Sequence, residues 1–492
     1  MLPGETRNKS IHLSGTQKLI ITLVSGLLFL AVTMLAVMSE MYIIWLIPPA
    51  LLLLLLAISS LDSFFLILVF FVPLSVQLRF IVHEPPADLF LPTELMIFII
   101  MFIMLYKMVS VGEYEPSFLK NRVSLLIIIM IAWMAVSSLA STLFLVSVKF
   151  LIVRIWFILA FYFLALELFR RPGFLKRTLT AYILGMAPVV IYNIIRLSAS
   201  GLFNQLAAHS SVRPFFNDHT SFGAALAFLI PVSIWFVYAT KPRLKKLLYL
   251  LVLLLFTAGI IFSYSRAAWI SLFIAGGFGL LMLAGIPWRL SIPSFLLVLL
   301  AVLLMWPSII QKMNTIDQTS SGNMSEHLQS VANITSDDSN LERINRWKSA
   351  LRMTAERPLT GWGPGTYQFQ YAPYQYSYDK TSISTNFGTG GNAHSEFLGS
   401  LVETGVPGLI IFIMLVVFAL GTGLHAWDTI RDREQRYLAL ALLCGLLSYI
   451  IHGTLNNFLD TDKIASLFWM YIAALIVLGK QRDMQRQRTG AF

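Results

Sequence analysis

The chain has 492 residues, 57% of them hydrophobic and only 12% charged, with a mean hydropathy of +0.74. Soluble domains average about 25% charged residues, so the composition excludes a soluble globular protein and specifies an all-α polytopic membrane protein. A net charge of +11 in such a chain reports loop topology before nucleic acid. The single cysteine, Cys444, leaves no intramolecular disulfide and no cysteine-rich metal site.

In chain order, apolar windows of about 17–25 residues predict spans near 18–38, 41–58, 62–79, 92–109, 124–143, 147–168, 177–198 and 220–239. They continue near 246–264, 266–285, 290–306, 404–424, 436–454 and 464–480. The total is about fourteen transmembrane helices, with the connections at Ser60 and Ser265 the shortest. The first stretch is too long for a signal-peptide core and is read as a retained span. The expected organisation is spans over residues 1–306, one large external loop over 307–393, further spans over 394–480 and a basic cytoplasmic tail over 481–492.

An even number of spans puts both termini on one side, and the positive-inside rule makes that side the cytoplasm. The inside connections then carry Lys120 and Arg122, Arg170 and Arg171, Lys241 to Lys246, and Arg431 to Arg436. The loop from Pro307 to Ala393 is far longer than a usual connection. Its Ser/Asn/Asp-rich first part is followed by "LERINRWKSALRMTAERPL", whose Leu341, Ile344, Trp347 and Leu351 predict an amphipathic helix ended by Pro358. The next segment, "TGWGPGTYQF", reads as an aromatic turn.

Three charged positions gather on the external side at helix ends. They are Arg213 in "SVRPFFNDHTSFGAAL", Arg266 in "FSYSRAAWISL" and His394 in "GNAHSEFLGSLVETGVPGLIIF". Arginine offers planar paired donors that suit phosphate oxygens. A histidine near neutral pKa is the usual proton acceptor for a hydroxyl nucleophile. Each also has a plainer reading: arginines at helix ends snorkel to headgroups, and a lone interfacial histidine is commonly just solvated.

Secondary candidates surround them. Arg154 lies about two turns inside a span, where it is either paired within the bundle or lines a ligand groove. Asn217 and His219 follow Arg213, with helix capping by Asp218 or Thr220 as the alternative. Glu396 and Glu403 suit an orienting role, and His452 and Asn456 either bind sugar or are simply polar ends of a span. No His/Asp cluster suggests a divalent metal, and no cofactor fingerprint is present.

In combination, "RPFFNDHTSFGAAL", "YSRAAWISL", "RINRWKSALRMTAERPLTGWGPGTY" and "NAHSEFLGSLVETGVPGLIIF" resemble the O-antigen ligase and O-antigen polymerase superfamily. The resemblance implies a bacterial inner-membrane glycosyltransferase of lipopolysaccharide biosynthesis, with its active site facing the periplasm. Its donor would be an undecaprenyl-diphosphate-linked glycan and its acceptor a glycolipid, either lipid A-core or another lipid-linked glycan, with membrane lipids around it. It also implies that Arg213 and Arg266 hold the diphosphate and that His394 activates the acceptor hydroxyl, with inversion and without metal or cofactor. O-antigen ligase, polysaccharide polymerase and protein O-oligosaccharyltransferase remain open within the resemblance. A flippase is the rival from another class, and it predicts internal repeats and midplane charges.

Overall fold

The computed structural model describes residues 47–80, 89–110, 121–290, 293, 338–385 and 391–489. The expected spans at 18–38 and 290–306, and the Ser/Asn/Asp-rich part of the large loop, lie outside these residues. The chain divides into two compact units, Met1–Phe64 and Phe65–Phe492. In the first, α1 (Ile47–Ser59) and the start of α2 (Leu61–Phe71) are separated at Ser60, whose hydroxyl accepts from Ser63 N.

The second unit is an α-helical bundle with one two-stranded antiparallel ribbon, β1 (Val76–Gln77) against β2 (Phe90–Leu91). The expected span at 62–79 is therefore only the eleven-residue α2. Pro73 lacks an N–H and cannot extend a helix, and the chain turns into the ribbon. Next come α3 (Thr93–Ser110), α4 (Arg122–Leu139) and α5 (Phe144–Phe169), which widens into a π-turn at Leu159–Leu164. They are followed by α6 (Phe174–Ser198), the short α7 (Gln205–Ser211), α8 (His219–Ala239), α9 (Arg243–Phe262) and α10 (Arg266–Leu283). The amphipathic helix is α11 (Asp338–Glu356), and α12 (Glu396–Thr429), α13 (Arg433–His452) and α14 (Asp462–Thr489) complete the order. Among the described residues, nine helices are long and apolar enough to cross a membrane.

Composition decides which of these are central. The span window of α14 is buried throughout, as expected of a helix that is apolar on every face. Only 17% of the corresponding window in α9 is buried, so its leucines face lipid. The two ends of the bundle differ in chemistry. At one end Lys176 of α6 pairs with Glu434 at 3.8 Å, and Trp235 of α8 donates to the Glu434 carbonyl at 2.9 Å. This is the end of the basic connections at Arg170, Lys241 and Arg431. At the other lie the starts of α8, α10, α12 and α14, and here α11 docks.

Side-chain caps set several of these starts. Asp218 accepts from Thr220 N and Ser221 N, Ser265 from Ala268 N, Ser395 from Leu398 N and Asn121 from Val123 N. Each satisfies an amide that the first turn leaves without an intrahelical partner.

The docked segment has its own small core of Ala350, Met353, Tyr367, Tyr371, Ala393 and Val402. Below it, α12 breaks at Gly405, whose φ of 72° and ψ of −177° lie outside any helix. Pro407 has no N–H for the Glu403 carbonyl, so the break frees three successive carbonyls. Trp362 N donates to Val402 O at 3.0 Å, Gly363 N and the Ser137 hydroxyl to Glu403 O at 2.9 Å each, and the Trp133 indole to Thr404 O at 2.8 Å. The "TGWGPG" turn and α4 together thus supply the partners without which a break at membrane depth would leave buried carbonyls orphaned.

Candidate functional site

His394 sits in the loop that leads into α12, in a left-handed backbone conformation with φ of 49°. Three contacts hold it there. Its N–H donates to Asn392 Oδ1 at 3.0 Å, its carbonyl accepts from the Trp347 indole at 3.2 Å, and Ser395 caps the helix that follows. Asn392 is itself anchored, donating from Nδ2 to Asn457 O at 3.0 Å. A strained backbone angle persists where surrounding contacts over-determine it, and here they come from three elements.

The half-buried imidazole faces Asn456 and the guanidinium groups of Arg346 and Arg343, with Asp218 also in electrostatic reach. Burial, then the two arginines, lower its pKa to about 3, against smaller opposing effects from Asn456 and Asp218. The ring is neutral at ordinary pH and free to accept a proton. Asn456 connects it to His452, with Asn456 Nδ2 3.2 Å from His452 Nε2. The buried His452 lies against the Ala267 backbone at the start of α10, beside Arg266. His394, Asn456, His452 and the start of α10 therefore form one continuous polar seam.

The start of α8 closes this seam from the side. His219 stacks on His209 of α7, ring centroids 4.2 Å apart and planes within 9°. Asp218 is engaged as the helix cap, and Asn217 gives its carbonyl to Arg213 Nε at 3.0 Å. Arg213 is exposed, and its own carbonyl accepts from the Tyr192 hydroxyl at 2.9 Å. It stands at the rim of the site rather than in the seam.

Arg154 is paired within the bundle and also lines a cavity. Its Nη1 donates to Leu459 O at 2.7 Å, and its guanidinium lies 5.2 Å from the Phe150 ring centre. Glu396 ties down the turn between α13 and α14: its Oε1 accepts from Phe458 N at 2.7 Å and Leu459 N at 2.9 Å. The Tyr449 hydroxyl donates to the same oxygen, and Glu396 N donates to Gly453 O at 2.8 Å. Glu403 accepts from Tyr367 N at 3.3 Å. Both glutamates position the loops around His394 and line the same cavity as Arg154.

Two residues of the seam escaped the sequence reading. Arg343 and Arg346 lie in the quoted amphipathic helix, but its apolar positions alone were read as informative. Arg346 donates from Nε to Glu342 Oε1 at 2.8 Å and from Nη1 to Asn392 O at 3.1 Å. Gly391 has a φ of 103°, which side-chain-bearing residues rarely adopt, and a Cβ there would fall 1.7 Å from the Arg346 guanidinium and displace it. The i, i+4 pairing of Glu342 and Arg346 on a helix, with the glycine before "NAHSEF", was the available signal.

Residues 250–413 match the family model described as O-antigen ligase. The match covers about a third of the chain and makes this segment similar to the O-antigen ligase family. The matched segment contains Arg266, Arg343, Arg346, His394, Glu396 and Glu403. Arg154, Arg213, Asn217, His219, His452 and Asn456 complete the same end of the bundle from outside it. Members of the family are membrane glycosyltransferases. Comparison with curated proteins gave no match.

Proposed function

We propose that the protein is an O-antigen ligase-like transferase that moves a glycan from an undecaprenyl-diphosphate carrier to an acceptor hydroxyl at the periplasmic face of the inner membrane. The observation that carries this reading is the seam in which a neutral His394 faces Arg343 and Arg346 and continues through Asn456 and His452 to the start of α10.

In the transfer step, the acceptor oxygen bonds to the anomeric carbon of the donor sugar. The bond from that carbon to the carrier's phosphate oxygen breaks, and its electron pair leaves with the diphosphate. The acceptor's proton passes to the His394 imidazole. Single displacement inverts the anomeric centre. Charge develops on the departing diphosphate, and guanidinium groups in a water-poor site stabilise it strongly. Arg343, beside His394, and Arg266, at the start of α10, supply this charge, and Arg213 at the rim meets the incoming anion.

The depressed pKa of His394 fits the sequence of events. An anion bound beside Arg343 and Arg346 cancels the positive field that holds the proton off. The imidazole then becomes a stronger base only once the donor is in place. Arginines in this role replace a divalent metal, so chelators should leave turnover intact. The test is to incubate purified protein with an undecaprenyl-diphosphate glycan and candidate glycolipid acceptors in EDTA. Formation of the joined glycolipid supports the reading, whereas no product with any acceptor, or strict dependence on magnesium or manganese, would overturn it.

A further inference from the structure

A cavity next to the seam is open to a ligand of quite different chemistry. It lies between α4, α5, the break in α12 and the start of α14, and Asn457 and Asp460 form the wall it shares with a second cavity beside Asn217, Asn392 and Lys463. One side is polar, with Arg154, Glu396, Glu403 and Asp460. The other is aromatic, with Trp133, Phe150, Phe412 and Trp469.

Two buried polar atoms of its lining residues have no hydrogen-bond partner among the described residues: the indole nitrogen of Trp469 and Oδ1 of Asn457. Trp469 is only 1% exposed. A buried donor or acceptor left unmatched is costly, and in a native protein a bound polar partner is one account of it.

We propose that this cavity is the acceptor subsite and holds a neutral pyranose unit of the acceptor glycan. The assignment rests on the glycosyl-transfer reading above and names the sugar class that site accepts. A pyranose carries hydroxyls that both donate and accept, the two capacities that an unmatched indole N–H and an unmatched amide oxygen call for. The C–H faces of the ring pack on aromatic side chains. A phosphate or uronate would meet three carboxyl groups with one guanidinium beside them. A hydrocarbon chain would leave both polar atoms unmatched. Position supports the role as well, because the carbonyl of Asn457 accepts from Asn392, the residue that holds His394. A sugar seated against Asn457 presents its free end toward the base.

The test uses full-length protein in lipid nanodiscs, with Ser400→Cys in a Cys444→Ser background as a reporter inside the cavity. Its reaction rate with N-ethylmaleimide is measured against hexyl β-glucoside, hexyl β-glucuronide and hexyl phosphate. At about ten times its Kd the glucoside should slow labelling roughly tenfold, as single-site occupancy requires. The glucuronide and phosphate should not. Asn457→Leu should abolish the protection while leaving the unliganded labelling rate unchanged. Should the reporter variant fail to fold, the change in tryptophan emission on adding glucoside, present in wild type and absent in Trp469→Phe, replaces it. Equal protection by hexyl phosphate, or none by the glucoside up to its solubility, overturns the proposal. Transfer from the lipid-linked donor is assayed in parallel. Transfer without glucoside protection removes the subsite alone; protection without any transfer removes the glycosyltransferase reading alone.

Discussion

Asn392 holds His394 from two residues away, accepting its N–H at Oδ1 over 3.0 Å while donating from Nδ2 to Asn457 O over 3.0 Å. The histidine's left-handed backbone depends on that brace. Asn392→Leu should therefore slow transfer with little change in donor affinity, the split expected of a positioning residue. Asn392→Asp keeps the acceptor oxygen but places a negative charge beside the imidazole, which favours its protonated form. Its acid limb in kcat/KM should move to higher pH than in wild type. An unmoved limb with wild-type rates in both variants would remove Asn392 from this role.

The acid limb itself is a prediction. The profile of kcat/KM reports the free enzyme, in which burial and the neighbouring arginines take His394 down to about 3. Transfer per free enzyme should thus be flat on the acid side through the range where an ordinary histidine titrates. His394→Ala should cut turnover by about 10²–10⁴, the usual contribution of a general base, while donor still binds. An acid limb near 6.5 that His394→Ala abolishes would show the ring to be less perturbed than the structure indicates. The sign for stability follows from the same depression. The unfolded chain takes up a proton at His394 below about 6.5 and the folded chain does not, so this group's contribution is complete above that pH and declines as pH falls toward 3.

Much of the frame was legible because it rests on strong local signals. Long apolar windows marked α4 to α6, α8 to α10 and α12 to α14. Helix spacing in "LERINRWKSALRM" marked α11, and Asp218 reads as a cap from its place before "HTSF". The site was legible only as types of residue at helix ends. What the sequence left hidden depends on pairing across long separations. Arg343 looks like one more charge on an exposed helix until α11 is docked. Glu396 and Glu403 suit an orienting role from sequence, but their partners, the amides of Phe458, Leu459 and Tyr367, are visible only in the fold. Trp469 reads as bulk within an apolar span, and only the fold shows that it lines a cavity and that its indole N–H is buried without a partner among the described residues. The ribbon replacing the end of the 62–79 span was signalled by Pro73, but two-residue strands leave no periodicity to detect.

Orientation is tested by labelling. The proposed orientation puts the basic connections inside and the docked segment outside, so Ser377→Cys, at an exposed position of that segment, should react with an impermeant maleimide in spheroplasts. A cysteine at Lys245, in the basic connection, should react only after lysis. The reverse pattern would place the seam in the cytoplasm and remove an externally presented donor.

The ion pair of Glu342 and Arg346 should hold α11 in its docked position. Both side chains are buried, 2.8 Å apart. Burial works against the charged Glu342, but hydrogen bonds from Ser384 and Arg346 outweigh it and hold the carboxyl below its ordinary range. Its stabilisation is present above the unfolded carboxylate pKa and is lost as pH falls through the lowered value. Removing one partner of such a pair costs about 3–5 kcal/mol. Glu342→Gln and Arg346→Met should each loosen the segment, seen as faster hydrogen exchange in α11. The double variant should lose less than the sum of the two. Strict additivity would mean that the two side chains act independently.

The break in α12 supplies the last prediction. Gly405 adopts a φ/ψ combination essentially confined to glycine, at a cost of about 1–3 kcal/mol for other residues. A Cβ there would also lie 2.0 Å from the Leu359 carbonyl oxygen. Gly405→Ala should therefore lower thermal stability in detergent and push the "TGWGPG" turn off α12, opening the cavity that Glu403 lines. Trp133→Phe tests the other side of the same joint. It keeps the aromatic bulk but removes the N–H donated to Thr404 O, leaving a buried carbonyl that should cost about 1–3 kcal/mol. Because Trp133 also lines the cavity, its loss should weaken acceptor binding, whereas His394 and its pH profile should be untouched. If Gly405→Ala is as stable as wild type, the break is not held by the contacts described, and α12 runs straight at little cost.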